Sequence, residues 1–484
     1  MYATDTIINR WFAHGSFRRD AALLFTSTAL ARGILVVSMP LLARFFNPAD
    51  VGNWQLFVSS ATLLATVICW RYEVAVPLPA TEQKARDVQS LCLLLAAATS
   101  ILLIIPGLLF RQQYAALIGA KAIEPFLWCI PLFTLLYGCE QASTFWLTRI
   151  GDFRGVGASR VVKSTLIVAV PLVAASAFDV GFSGLVAGTM LGQLAATVYL
   201  LREDPASGDL LRFDWQQFVR CRAAMIEYRN YPLYVAPYAF VGQFSKRLVY
   251  FLLAAFANVS TVGFFALAMQ LTYMPVMFIT AALNQAFYRR AAAIGEVRQL
   301  EPLVLRVLGL QVVAAVPVFV LFVLHGESVL HLVLGPAWDE AVGFAKWLAV
   351  PSMMLFFTAW LDRLFDTLGQ QRLAVVLQLS YDVASIGLLL TLLAVGFPAL
   401  VAVACYCIVT AVYNLIWLVI TFRVAGFSLR GLMNFSLLAT ALAGTVLLAH
   451  ALVAERFDDP VAWCMEVAAA VAAQAIALRH VRGL

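Results

Sequence analysis

The chain has 484 residues, of which 62% are hydrophobic and only 12% are charged, and its formal net charge is +6. Its mean hydropathy of +0.87 is far above that of water-soluble domains, so the composition excludes a soluble globular protein and indicates an integral membrane protein. A basic excess of this size is typical of membrane proteins with charged cytoplasmic loops, and it gives no reason to expect a nucleic acid partner.

About 14 apolar runs are long enough to cross a bilayer, which takes roughly 20 residues of helix. They lie at residues 22–43, 54–78, 89–109, 123–147, 157–177, 182–201, 233–256, 260–283, 303–324, 341–361, 373–395, 398–421, 435–453 and 461–478. The first run is too long for the core of a signal peptide and shows no clear cleavage site, so we expect a retained helix. Before it, residues 4–20 mix apolar and basic side chains in a pattern that predicts a short interfacial helix.

The 33 lysines and arginines are unevenly distributed among the segments that join the apolar runs. With a cytoplasmic N-terminus, most of them, including Arg160 and Lys163, are assigned to the cytoplasmic side. The outside segments hold four: Arg44, Arg111, Lys121 and Arg456. Because positive residues accumulate in cytoplasmic loops, we expect both the N- and the C-terminus in the cytoplasm.

One phrase occurs twice, as LLARFFNPADVGNWQL at residues 41–56 and as LLAAFANVSTVGFFAL at residues 252–267. At an offset of 211 the two segments share 8 of 16 residues, including the glycines Gly52 and Gly263. Each copy joins the outer end of one apolar run to the start of the next, and six runs separate the copies. We therefore expect two parallel halves related by an axis along the membrane normal.

The predicted fold is an all-α polytopic membrane protein with two pseudo-symmetric six-helix lobes and an additional C-terminal helix pair. The predicted limits are residues 1–201 for the N-lobe, 202–230 for a basic cytoplasmic linker, 231–423 for the C-lobe and 424–484 for the helix pair. Prolines inside many of the runs suit the bent helices of an alternating-access transporter.

Ionisable residues inside the apolar runs are the strongest indication of a functional site, because a charged side chain at the bilayer centre costs roughly 2.5–3.5 kcal/mol. Arg32 lies near the middle of the first run. The seventh run carries a polar stripe with i, i+3, i+4 and i+7 spacing, formed by Gln243, Lys246, Arg247 and Tyr250. The repeat makes these two runs equivalent, so we expect the residues to bind substrate in a cavity between the lobes. Snorkelling to the interface is the structural alternative.

Two carboxylates inside the runs, Glu140 and Asp382, each share a helix face with other polar residues. They either carry a coupling proton or Na⁺ or serve as structural counter-ions for the arginines, and Glu466 is a weaker candidate of the same kind. We expect no other cofactor. The outside loop that includes His325 and His331 matches no standard zinc spacing, so no metal site is predicted.

The segment ARFFNPADVGNWQLF, followed by RYEVAVPLP, resembles the start of bacterial polysaccharide transporters of the Wzx type. These belong to the multidrug/oligosaccharidyl-lipid/polysaccharide (MOP) flippase superfamily. The resemblance implies two lobes in a V that move a lipid-linked oligosaccharide, usually linked to undecaprenyl pyrophosphate, from the cytoplasmic to the periplasmic leaflet of the inner membrane by alternating access. It also implies a role in O-antigen, capsule or exopolysaccharide assembly, with membrane lipids and other polysaccharide-assembly proteins as partners.

The family motif at the inner end of the second run maps onto Arg71, Tyr72 and Glu73. The resemblance implies that the Arg71–Glu73 pair, with Arg149, either closes a gate at the cytoplasmic mouth or contacts substrate. Interfacial anchoring is the structural alternative for the same residues.

Two other functions compete with a flippase. The first is an ion-coupled multidrug or organic-cation antiporter of the same superfamily. The second is a membrane glycosyltransferase or polymerase, which would need a carboxylate pair or a large outside loop that the sequence does not convincingly supply. We therefore expect a transporter rather than an enzyme. No Gly-rich ATP-binding motif occurs in the sequence, so we expect coupling to an ion gradient or to consumption of the product.

Overall fold

The computed structural model describes residues 16–178, 180–204, 214–293, 297–362, 364–365, 368–453 and 459–482. These residues form helices joined by turns, and no strand occurs among them, so the predicted all-α membrane class is confirmed. Within these ranges, 11 helices are long and apolar enough to cross a membrane, so the predicted number of about 14 spans is not confirmed. Most of the predicted interfacial helix at residues 4–20 lies outside the described residues.

Seventeen helices follow one another in the described part of the chain. They are α1 (Ser16–Val37), α2 (Met39–Phe45), α3 (Pro48–Ala65), α4 (Glu82–Leu109), α5 (Arg111–Leu117), α6 (Cys129–Ile150), α7 (Phe153–Ala177), α8 (Gly181–Glu203), α9 (Trp215–Glu227), α10 (Ala236–Phe256), α11 (Val259–Ala293), α12 (Glu301–Leu334), α13 (Asp339–Thr358), α14 (Gln371–Val395), α15 (Ala399–Ala425), α16 (Leu429–Val453) and α17 (Asp459–Arg482).

The chain divides into two compact units, unit 1 with residues 1–266 and unit 2 with residues 267–484. Helices α1 to α10 belong to unit 1, and α12 to α17 belong to unit 2. In unit 2 the last two helices, α16 and α17, both pack against α12. The predicted limits of the lobes stay a prediction, because these units reflect compactness and not the count of helices.

The predicted run at 54–78 is not one continuous helix. Helix α3 ends at Ala65, and a short 3-10 helix follows at Tyr72–Ala75. Between them, Trp70 and Arg71 adopt left-handed backbone angles, with φ of 52° and 64°. Residues with a Cβ rarely adopt this conformation, which costs roughly 1–2 kcal/mol for each residue, so hydropathy alone could not reveal the break.

The two copies of the repeated phrase start a helix in the same way. Before α3, the side chain of Asn47 accepts a hydrogen bond from the Asp50 amide at 2.9 Å, and the Asp50 carboxylate accepts one from the Asn47 amide at 3.4 Å. Before α11, the side chain of Asn258 accepts a hydrogen bond from the Thr261 amide at 2.8 Å. Such caps satisfy amides that the first turn of a helix leaves unpaired, so both asparagines fix the start of a helix.

The repeated glycines form a reciprocal contact within unit 1. A methyl group added to Gly52 of α3 would overlap the carbonyl oxygen of Val259, and one added to Gly263 of α11 would overlap the carbonyl oxygen of Pro48. The offset of 211 that pairs Gly52 with Gly263 also pairs Pro48 with Val259. The first turns of α3 and α11 therefore pack backbone to backbone around a local two-fold axis, and only glycine allows this approach.

Candidate functional site

A largely buried ion pair joins α6 and α7 in unit 1. The Nζ of Lys163 on α7 lies 2.8 Å from Oε2 of Glu140 on α6, and Gln193 on α8 donates a hydrogen bond to the same oxygen at 2.6 Å. Glu140 is buried, and the ammonium of Lys163 also lies 5.6 Å from the centre of the Tyr137 ring. Lys163 therefore compensates the charge of Glu140.

The assignment of Arg160 and Lys163 to the cytoplasmic side stays a prediction, but the structure shows that the two residues lie within a helix and not in a loop. Both residues lie in α7, about two to three turns from its start at Phe153, and the whole of α7 is one of the 11 candidate spans. Glu140, on a different helix, compensates the charge of Lys163 within this candidate span. The spacing Arg-Val-Val-Lys within an apolar run indicates two cations on one face of a membrane helix, since residues three apart share a helix face.

Arg32 joins this group from α1. The Nη1 of Arg160 donates a hydrogen bond to Oγ1 of Thr28 at 2.7 Å, one turn before Arg32. Thr28 and Arg32 share one face of α1, so the like charges of Arg160 and Arg32 belong to the same region of unit 1. Arg32 is half-buried, and it has no hydrogen bond or ion pair with any residue that the structure describes. We call the four charged residues Arg32, Glu140, Arg160 and Lys163 the α1–α7 cluster; three cations against one carboxylate give it a positive charge.

The predicted polar stripe lies on α10, also in unit 1. Tyr250 is buried, and its ring packs edge-to-face on Phe265 at 5.5 Å. Arg247 is half-buried and Lys246 is exposed. Within the described ranges of the chain, neither cation has a hydrogen bond or an ion pair, and the same holds for the half-buried Gln243. In the part of the chain that the structure describes, no hydrogen bond or ion pair joins this stripe to Arg32.

The predicted gate residues do come together. Nη1 of Arg71 lies 3.2 Å from Oε1 of Glu73, and Glu73 is only 3% exposed. The other carboxylate oxygen of Glu73 and the Nε of Arg71 are both buried without a hydrogen-bond partner in the structure as described. A buried polar atom without a partner is costly, and Arg71 is also one of the two left-handed residues. The pair therefore lies on a strained turn.

Arg149 fixes the segment that follows this turn. At the end of α6, its Nη1 donates a hydrogen bond to the carbonyl oxygen of Pro77 at 2.8 Å, and its Nη2 reaches the carbonyl oxygen of Thr81 at 3.5 Å. Arg149 therefore binds the backbone next to the Arg71–Glu73 pair and holds that segment against the end of α6.

The predicted linker contributes a helix to the same region. On α9, Arg220 forms an ion pair with Asp87 of α4 at 3.1 Å, and Gln217 donates a hydrogen bond to Ser90 at 3.0 Å. Burial raises the pKa of Cys221 to about 11, so its thiol is protonated at neutral pH and packs as an apolar group.

The opposite face of α9 is exposed and apolar, with Trp215, Phe218, Val219 and Ile226. The spacing of these residues was a readable signal of an amphipathic helix.

Asp382, the second predicted coupling carboxylate, lies on α14 in unit 2. Gln378 donates a hydrogen bond to Asp382 at 3.0 Å, and Tyr413 of α15 donates one to Gln378 at 3.2 Å. The Tyr381 ring stacks on Tyr413 with ring centres 4.3 Å apart. Asp382 therefore belongs to a polar network between α14 and α15.

Unit 1 also contains an apolar cavity of about 640 Å³. Side chains of α3, α4 and α10 line it, including Leu64, Leu103 and Phe251. Arg111 lies at its wall, and the hydroxyl groups of Ser60 and Tyr114 lie 2.5 Å apart there. Such a lining suits a hydrocarbon chain and offers few partners to a sugar.

Comparison with known proteins agrees with this architecture. Residues 41–343 match the sequence profile of a family described as "Polysaccharide biosynthesis protein". A structure of the lipid II flippase MurJ in an inward closed conformation is similar, with a TM-score of 0.73, 11% identity and coverage of 95% of this chain and 99% of MurJ. No curated protein sequence matches the chain significantly.

Multidrug transporters are similar too. An inward-facing MATE family transporter of the MOP superfamily has a TM-score of 0.59 and 14% identity, with coverage of 85% of this chain and 94% of that one. A structure of the MATE multidrug transporter DinF-BH has a TM-score of 0.55 and 17% identity, with coverage of 84% of this chain and 97% of that one. At these identities the likeness concerns the fold.

Proposed function

Since the chain belongs to the polysaccharide biosynthesis protein family, we propose that it is a flippase for an undecaprenyl-pyrophosphate-linked oligosaccharide. It carries this lipid from the cytoplasmic to the periplasmic leaflet of the bacterial inner membrane by alternating access, with both termini in the cytoplasm. The oligosaccharide serves O-antigen, capsule or exopolysaccharide assembly. The transport is coupled to H⁺ or Na⁺, with Asp382 as the carboxylate that responds to the ion, whereas Glu140 is the structural counter-ion of Lys163.

The observation that supports this proposal most directly is a set of uncompensated cations in unit 1. Arg32, Lys246 and Arg247 lie on candidate spans and have no hydrogen bond or ion pair among the described residues, whereas Glu140 is already compensated by Lys163. A pyrophosphate carries two or more negative charges, and electrostatic interactions are several-fold stronger in a low-dielectric region than in water. Fixed cations can therefore offset the cost of moving the headgroup across the membrane.

The apolar cavity supports the same proposal. A lipid-linked sugar has a long hydrocarbon tail besides its charged headgroup, and the cavity of about 640 Å³ is lined mainly by apolar side chains. Arg111 in its wall forms an ion pair with Glu124 at 3.5 Å, and its other guanidinium nitrogens can face a polar group at the end of such a chain. Unit 1 thus offers one environment for each part of the lipid.

The test is translocation of a pyrophosphate-linked oligosaccharide in vesicles that contain either the normal protein or the variant Arg32→Ala/Arg247→Ala. Each charge-assisted hydrogen bond is worth about 1.5–3 kcal/mol, so we expect the double variant to transport at least about tenfold more slowly. Lysine at both positions should restore part of the rate, because lysine keeps the charge but lacks the planar fork that fits phosphate oxygens.

The matched control is Lys121→Ala, which removes an exposed cation from the segment between α5 and α6. This variant should transport at the normal rate. Equal transport by the normal protein and by the double alanine variant would refute the role of these arginines.

An organic-cation antiporter is the second candidate, because MATE transporters share the fold. Uncompensated cations in unit 1 oppose it, since they repel a positively charged drug. In the same vesicles, uptake of a fluorescent organic cation under a proton gradient, without translocation of the oligosaccharide, would favour the antiporter.

A further inference from the structure

Two histidines and a glutamate from three helices of unit 2 converge on one point. His325 lies on α12, His450 in the last turn of α16, and Glu466 in α17. The Nε2 of His325 contacts one carboxylate oxygen of Glu466, and the Nδ1 of His450 lies 3.0 Å from the other. The three ligand atoms all lie within 4.8 Å of one another.

The carboxylate at the centre of this cluster needs a positive partner. Glu466 is fully buried, whereas the His325 side chain is 17% exposed and the His450 side chain 34% exposed. A buried carboxylate without compensation is expensive, and it would be protonated or paired. Three arrangements can compensate it: one protonated imidazole, two protonated imidazoles, or a cation bound by all three side chains.

The geometry favours one shared cation over two protonated histidines. The imidazole rings of His325 and His450 pack edge-to-face with their centres 5.5 Å apart. Two imidazolium charges at this separation would repel each other in a poorly screened environment. A divalent cation instead leaves both histidines neutral and satisfies both nitrogens and the carboxylate with one ion.

We propose that His325, His450 and Glu466 form a binding site for a divalent transition metal, best suited to Zn²⁺. Two imidazole nitrogens and one carboxylate are a ligand set that proteins use for zinc, with a water molecule in the fourth position. Zinc ligands lie about 2.0–2.2 Å from the metal, which sets them about 3.4 Å apart in a tetrahedral site. A small rearrangement of side chains already within 4.8 Å of one another gives that spacing.

The surroundings fit a metal site as well. Trp463 packs edge-to-face on His325 with ring centres 4.9 Å apart, which restrains the orientation of the imidazole. The partial exposure of His450 provides an entry path for the ion. The metal would link α16 and α17 to α12 near the C-terminal end of α12.

The sequence hides this site because its ligands are far apart in the chain. His325 is 141 residues from Glu466, and His450 is 16 residues from it. His331, the chain neighbour of His325, pairs with Asp339 at 3.7 Å and takes no part in the cluster. A search for closely spaced ligands therefore finds no pattern.

The test uses the full-length protein, purified in detergent and stripped of metal with a chelator. Titration with Co²⁺ should produce the strong visible absorption of a tetrahedral site at one ion per chain, and Zn²⁺ should displace it. The variants His450→Ala and Glu466→Gln should bind at least about tenfold more weakly. His331→Ala, which removes an exposed histidine outside the cluster, should bind like the normal protein.

Thermal unfolding separates metal binding from loss of fold. Zn²⁺ should raise the unfolding temperature of the normal protein and of His331→Ala, but not that of His450→Ala. If Glu466→Gln does not fold, His325→Gln takes its place, because His325 is partly exposed. The proposal is overturned if the normal protein binds no Co²⁺, if His450→Ala and His325→Gln bind like the normal protein, or if His331→Ala loses binding equally.

Discussion

Lys163 illustrates how a charge inside a membrane helix depends on a residue from another helix. Its ammonium group is paired with Glu140, and both side chains are largely buried, at 22% and 9% exposure. The sequence alone could identify Glu140 as an unusual residue, because it lies inside an apolar run. It could not identify the partner, because the contact between α6 and α7 depends on packing and not on spacing along the chain.

We predict that single substitutions in this pair are more harmful than the double substitution. Removing one partner leaves a buried charge, which destabilises proteins by about 3–5 kcal/mol, whereas replacing both partners with neutral groups costs less. Glu140→Gln and Lys163→Met should each lower the unfolding temperature in detergent clearly, and the double variant should recover most of the loss.

Lys84→Met provides the control for this experiment, because its pair with Glu227 is exposed on both sides, at 61% and 50%. An exposed pair contributes little, so this variant should unfold at the normal temperature. A double variant as unstable as the sum of the single ones would contradict the compensating role of Lys163.

At the scale of single elements, α9 shows what the sequence could and could not reveal. The segment was expected to be a basic linker, and it contains a helix whose residues Gln217, Cys221 and Ala224 are buried. Their spacing of four and three residues is the usual signature of a helix face, so the helix itself was predictable. Its attachment to α4 through Asp87 and Ser90 was not, because nothing in the sequence indicates which helix end receives it.

The reciprocal contact of α3 and α11 gives a second prediction. Alanine at Gly52 or Gly263 would place a methyl group on a backbone carbonyl oxygen of the other helix, and the backbone must move. Overpacking of this kind typically costs about 1–3 kcal/mol. Each variant should therefore unfold at a lower temperature than the normal protein.

Because both glycines belong to one contact, Gly52→Ala and Gly263→Ala together should cost less than the sum of the single effects. Gly444→Ala is the control, since an added methyl group there meets no atom within 4 Å. Additive effects would show that the two glycines act independently.

At the scale of the whole molecule, the all-α membrane class and the resemblance to a family of polysaccharide biosynthesis proteins are confirmed. The hydropathy of the apolar runs predicts the membrane class. The phrase around Asn47 and Gly52 carries the resemblance to the family. The strained turn at Arg71 could not be predicted because hydropathy does not encode backbone angles. The His325–His450–Glu466 cluster could not be predicted because it depends on distances between three separate helices.

The membrane topology can be tested by single cysteines in a protein in which the exposed Cys464 is replaced by alanine. The other native cysteines are buried or half-buried, and the parent without a new cysteine gives the background. Asn258→Cys should react with a membrane-impermeant maleimide in intact cells, because it precedes α11 on the expected outer side. Gln299→Cys, which precedes α12, should react only after permeabilisation; labelling of Gln299→Cys from outside would contradict the expected crossing of the membrane by α11.

The close approach of Gly52 and Gly263 also limits how the two halves of the sequence can diverge. When a segment is copied within a gene, each copy normally accumulates substitutions independently of the other. Here a side chain at either glycine would overlap the backbone of the other copy, so a substitution in one copy disturbs both copies. The pair is therefore the natural reference point for aligning the two copies of the repeated phrase with each other.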